Sequence, residues 1–91
     1  MVYLVTYDLN APGKKDYKGI EEAIEACSTG HFFSCWSSTY LIHSFLTVKD
    51  ITKRLVSILN ENDTLLVIEV KNNFSGVVPP GYEDRIINLF G

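Results

Sequence analysis

Three patterns in this chain of 91 residues predict an α+β fold. Apolar residues alternate with period 2 at the start of the chain, as in a half-buried strand. In two later stretches they recur at three- and four-residue steps, as on one face of a helix. Gly, Pro, Asn and Asp separate these blocks and mark turns. The resulting order is β-α-β-β-α-β, followed by one short helix.

Residues 2–9 read as the first strand. Val2, Leu4 and Thr6 share a face with Asp8, while Tyr3, Val5 and Tyr7 share the other. Residues 10–16 read as a loop, because Pro12-Gly13 is a strong turn signal. A helix is expected over 17–28, where Tyr17, Ile20, Ala23, Ile24 and Cys27 make an apolar stripe. Glu21, Glu22 and Glu25 face away from that stripe, Asp16 is the expected N-cap, and Gly30 ends the segment. Residues 32–45 are rich in aromatic and β-branched side chains but too long for one average strand. They divide into two strands with a turn near Ser37-Ser38.

Thr47 is expected to cap a second helix over 48–60, with Asp50 completing a short capping box. Val48, Ile51, Leu55, Ile58 and Leu59 form its expected buried face, and Asn60-Glu61-Asn62-Asp63 breaks it. Residues 64–70 are so apolar that a central strand is expected there. Residues 71–76 and Pro79-Pro80-Gly81 read as loops. Residues 82–90 read as a last short helix with Ile86, Leu89 and Phe90 on one face. The chain is thus one domain, with a core over 1–70 and a C-terminal extension over 71–91.

This element order is the split βαβ, or ferredoxin-like, arrangement, with two helices on one face of a four-stranded antiparallel sheet. The opposite face is expected to be bare and to carry either the Val2-Leu4-Thr6 set or the Tyr3-Val5-Tyr7 set. A bare, partly apolar face usually marks an interface, and a symmetric homodimer is the simplest way to cover it.

Composition narrows the function classes. Eleven acidic residues against eight basic ones give a net charge of −3, which argues against strong sequence-independent binding to nucleic acid. Local basic clusters remain at Lys14, Lys15 and Lys18, and at Lys49, Lys53 and Arg54; each suits a solvated surface or a phosphate contact. Cys27 and Cys35 lack metal-type spacing and read as reduced, partly buried thiols of a cytoplasmic protein, with a disulfide or redox role as the alternative. No apolar run is long enough to span a bilayer, and no signal peptide is expected.

Three groups of residues could carry chemistry. Asp8 ends an apolar strand at the rim of the core; it suits a structural turn with Asn10, a ligand contact or a metal-assisted reaction. Phe32, Phe33, Trp36 and Tyr40 form the densest aromatic cluster, which suits core packing or a platform for a stacked base. With Tyr7, with Lys14 or Lys18 for phosphate, and with Asn10 or Ser38 for base edges, the cluster could hold a nucleotide. His31 and His43 have no carboxylate nearby in sequence to orient them, although either could approach Asp8 in space.

Val5-Thr6-Tyr7-Asp8-Leu9, Ser38-Thr39-Tyr40-Leu41-Ile42 and Asn62-Asp63-Thr64-Leu65-Leu66-Val67 occur in an order that resembles a group of small bacterial and phage proteins. These are the SinR-like relatives of CRISPR-associated protein 2 and virulence-associated protein D. The resemblance spans about residues 1–70. It implies a ferredoxin-like fold, a homodimer with facing sheets, and a Mg²⁺-dependent nuclease in which Asp8 of each subunit is the catalytic and metal-binding residue. The chain departs from the CRISPR members in its acidic charge and in lacking their basic stretch after the first strand. Two readings follow. One is an oligomer that binds a nucleotide or short RNA or DNA at a subunit interface, suited to a phage or mobile-element protein that sequesters a signalling nucleotide. The other is a homodimeric, Mg²⁺-dependent nuclease.

Overall fold

The computed structural model describes residues 1–10 and 17–91. The elements are β1 (Val2–Asp8), α1 (Tyr17–Cys27), β2 (Phe32–Trp36), β3 (Thr39–His43), α2 (Val48–Val56), β4 (Thr64–Val70) and α3 (Tyr82–Leu89). The strands form one sheet in the order β2-β3-β1-β4, and every neighbouring pair is antiparallel. β1 and β2 therefore run parallel with β3 inserted between them, which is the split βαβ crossover. The fold is α+β with a ferredoxin-like arrangement.

Alternation sorts the side chains onto two faces. Tyr3, Val5 and Tyr7 of β1 join Tyr40 and Ile42 of β3 against Ile20, Ile24 and Cys27 of α1 and Ile51 and Leu55 of α2. Two of the tyrosine hydroxyls are satisfied inside this core: Tyr3 donates to the Leu46 carbonyl at 2.6 Å and Tyr40 to Glu25 Oε2 at 2.8 Å. Ser44 is fully buried, and its hydroxyl donates to the Cys27 carbonyl while accepting from the Leu46 amide. The three groups thereby tie β1, β3, α1 and the loop before α2 together, and no buried side-chain nitrogen or oxygen among the described residues lacks a partner.

The Val2-Leu4-Thr6 set lies on the opposite face, which differs from the bare surface expected. α3 folds back over its β2–β3 side, where Ile86 and Leu89 pack on Val2, Phe33, Cys35 and Leu41. Tyr82 meets Phe33 edge-on at 4.7 Å, and the Arg85 guanidinium lies 4.0 Å from the centre of the same ring. The β4 side stays open, leaving Leu66 at 53% and Ile68 at 44% exposure.

Three further expectations are corrected. β4 is an edge strand rather than a central one. Its apolar run reflects two separate demands: Leu65 and Val67 pack against the helix-side core, whereas Leu66 and Ile68 face the open surface. α2 stops at Val56, not at residue 60, because the Ser57 hydroxyl bonds the Arg54 carbonyl and the chain turns. Ile58, beyond that end, is exposed while Leu59 still packs on the core; Val48, at the first position of α2, is also exposed instead of joining the buried face. Tyr17 opens α1 but is exposed instead of joining the buried stripe. The expected cap on α2 is present, with the Asp50 amide donating to Thr47 Oγ1 at 3.1 Å. The expected cap at Asp16 lies outside the described residues.

Candidate functional site

The β2–β3 hairpin decides the geometry of the site. Its turn places Ser38 in the left-handed region, at φ 62°. Pairing runs Phe32–Ile42, Phe33–Leu41 and Ser34–Tyr40 but then shifts to Trp36–Thr39. This is a β-bulge at Cys35, and a bulge re-aims the side chain beyond it. Strict alternation would place Trp36 with Ser34 on the helix side. Instead it stands opposite Thr39, whose hydroxyl meets Thr6 at 3.2 Å on the α3 side of the sheet. Trp36 is 53% exposed there, with its ring centre 6.3 Å from that of Tyr82.

Trp36 consequently stands between two cavities. One is a cleft of about 600 Å³ formed by Tyr7, Ser38, Tyr17, Glu21, Ser34, Ser37 and Tyr82 together with the indole. The other, of about 420 Å³, is an apolar groove between Leu4 and Leu41 of the sheet, Ile86 and Phe90, and the tail at Phe74 and Val77, with Lys71 and Glu83 among its walls. β1 is held to the hairpin turn at the cleft, because the Ser38 carbonyl accepts from the Tyr7 amide at 3.1 Å and from Thr6 Oγ1 at 3.3 Å. Burial, then the nearby Glu21 and Tyr17, push the Tyr7 phenol up to about 12, so it remains a neutral hydroxyl at ordinary pH.

Of the residues expected around a nucleotide, Tyr7, Trp36 and Ser38 line one cleft, whereas Asn10 is not among its walls. Tyr40 is not among the cleft's walls: it is buried in the helix-side core, and its hydroxyl is occupied by Glu25. Burial and then Glu25 raise its pKa well above the ordinary phenol range. Lys18 is exposed on the first turn of α1, 4.0 Å from Glu22. Lys14 and Lys15 lie outside the described residues. Tyr17, Glu21 and Tyr82 were not singled out from the sequence. Tyr17 looked like a core residue, Glu21 like a solvated one, and only the docking of α3 brings Tyr82 across from α1.

Asp8 lies at the same end of β1 but towards β4, pairing with Thr64. It is exposed, and Asn10 Nδ2 donates to its Oδ2 at 2.9 Å. The Asn10 amide in turn donates to Asp63 Oδ1 at 2.7 Å, and the Asn60 amide to Asp63 Oδ2 at 2.8 Å. Asp8 and Asn10 therefore form a strand-end turn fastened to the loop before β4. Among the described residues, no group of three or more His, Cys, Asp or Glu side chains gathers. One carboxylate per chain fits Mg²⁺ only in the hydrated manner typical of that ion, with waters and a second donor group completing the shell.

Both histidines lie at the far end of the sheet. His43 pairs with Val2, six residues from Asp8 along β1, or about 20 Å at the rise of an extended strand. The His43 amide donates to the His31 carbonyl at 2.9 Å, and its ring contacts Thr29 Oγ1 at 3.0 Å. Neither ring approaches Asp8. Burial, then the N-terminal charge and His31, hold the His43 pKa low.

No family model matches this chain, and no curated protein matches it. No helix among the described residues is long and apolar enough to cross a membrane. The functional reading therefore rests on the geometry around Trp36.

Proposed function

We propose that this protein is an oligomeric binding module that captures a nucleotide, or a short stretch of RNA or DNA, beside a subunit interface. The observation that carries the reading is Trp36, half-exposed in a cleft with Tyr7, Tyr82 and Ser38. A large ring held out in water by a bulge contributes little to the core but offers a surface for a base, worth about 1–3 kcal/mol per stacked base. The three serines of the cleft supply hydroxyls for base or sugar edges. α1 begins at Tyr17 in the same wall, so its positive dipole end favours a phosphate nearby.

The oligomer is supported by Leu66 and Ile68, which leave an apolar strip uncovered on the same side of the sheet as Trp36. A second copy laid on that strip would remove it from water. The strand order and the acid ending β1 also support kinship with the CRISPR-associated protein 2-like and SinR-like group. Calorimetry with mono-, di- and cyclic nucleotides and short oligonucleotides tests the binding reading. Saturable binding that Trp36→Ala removes supports it, and no binding to any of them overturns it.

A second reading is favoured by one observation, the exposed Asp8 carboxylate presented at the open side of the sheet. In a face-to-face dimer, Asp8 of each subunit would hold Mg²⁺, which would polarise a phosphodiester and supply an activated water. Asn10 would orient the carboxylate through its amide. Cleavage of RNA or DNA in Mg²⁺ that Asp8→Ala abolishes would support this reading. Intact substrate, or unchanged cleavage by the variant, would end it.

A further inference from the structure

We propose that Glu21 makes the cleft selective for guanine. The inference rests on the nucleotide reading above and names the base. α1 carries three glutamates within five positions, and the structure treats them differently. Glu22 lies 4.0 Å from Lys18, and Glu25 accepts the Tyr40 hydroxyl at 2.8 Å. Glu21 has no hydrogen bond or ion pair to any described residue, yet it is half-buried in the wall of the cleft that holds Trp36 and Tyr82. Among the described residues it is the single charged side chain in that wall.

A partly desolvated carboxylate needs donors, and its two oxygens suit a pair of adjacent N–H groups. Guanine presents such a pair, N1–H beside the exocyclic N2 amine. Adenine places the N1 lone pair next to its amine, and cytosine places N3 next to its own, so each would set an acceptor against the carboxylate. Uracil has one N–H between two carbonyls. A site built around a carboxylate therefore rejects these three through unpaired or repelling polar groups, which discriminate more strongly than shape does. The Trp36 face supplies the stacking surface for any base, so affinity and selectivity reside in different residues. A guanidinium is also flat with paired donors, and free arginine is the control for that source.

The chain contains one tryptophan, so its fluorescence reports directly on the cleft. The experiment titrates the intact protein with GMP, AMP, CMP, UMP and free arginine, and repeats each titration with Glu21→Gln. The expected result is saturable quenching by GMP at a Kd at least tenfold below those of the other ligands. Glu21→Gln should raise the GMP Kd tenfold or more and lower the AMP Kd, because the amide offers adenine a donor for N1 and an acceptor for its amine. Equal binding of AMP, CMP or UMP, or a guanine preference that survives Glu21→Gln, overturns the guanine inference while the nucleotide reading stands. Arginine binding as tightly as GMP also overturns it. Absence of binding by all four mononucleotides overturns the guanine inference, and absence of binding by the di- and cyclic nucleotides and short oligonucleotides as well overturns both.

Discussion

The two faces of this sheet use the same strands and treat water differently. Under α1 and α2 the apolar side chains interlock until Val5, Ile24, Ile42, Ile51 and Leu55 are fully buried. Under α3 the cover reaches only part of the way, leaving Trp36 half-exposed and an apolar strip along β4. The first face holds the domain together. The second has apolar surface to spare, and that is where a ligand or another copy of the chain can gain by docking.

Substitutions on the two faces should separate these roles, and the largest effect belongs to the closed one. Leu55→Ala removes a fully buried side chain between α2 and the sheet and should cost about 2–5 kcal/mol in urea unfolding. Leu66→Ser, on the open face, should change monomer stability by about 0.5 kcal/mol or less. It should instead weaken self-association in sedimentation experiments. A large stability loss from Leu66→Ser with no change in association would break the comparison.

Trp36→Ala should lower nucleotide affinity by roughly 10- to 100-fold, the worth of one stacked base, as measured by calorimetry. Thr47→Ala removes the hydroxyl that caps α2 and should cost about 1 kcal/mol of stability, leaving nucleotide binding untouched.

A further effect is a pH dependence on the closed side. The Tyr7 phenol is raised from its ordinary 10.0 to about 12 by burial, with Glu21 and Tyr17 adding to the shift. The folded state then holds its proton more tightly than the unfolded state does. This stabilisation is complete below about pH 10 and is lost as pH rises from 10 through about 12. Thermal unfolding between pH 9 and 12 should show that decline, and Tyr7→Phe should make it shallower. An equally steep decline in the variant would assign the effect to other groups.

Much of the fold was legible because alternation and helical spacing are local. Val2 through Asp8 sorted themselves onto two faces, and Thr47 announced its helix through a cap built within three residues. The end of α2 was less legible, since Ile58 and Leu59 continue the apolar pattern beyond the last helical turn. β4 was misplaced because apolarity alone does not distinguish a strand buried on both faces from one with an unfilled side. Part of the candidate site was visible in Tyr7, Trp36 and Ser38. Glu21 was hidden, because a glutamate on the polar side of a helix looks the same whether it faces solvent or a cleft.

The amino-acid order by itself determined the elements, their ferredoxin-like succession and the acid that ends β1, because each depends on interactions over a few residues. The tertiary structure alone decided what the free face became. α3 had to fold back for Tyr82 to meet Trp36, and the bulge at Cys35 had to turn the indole from the α1–α2 side of the sheet to the α3 side. The first depends on contacts between residues far apart in the chain; the second lies inside the β2–β3 hairpin, where pairing shifts from Ser34–Tyr40 to Trp36–Thr39, and period-2 alternation does not reveal it.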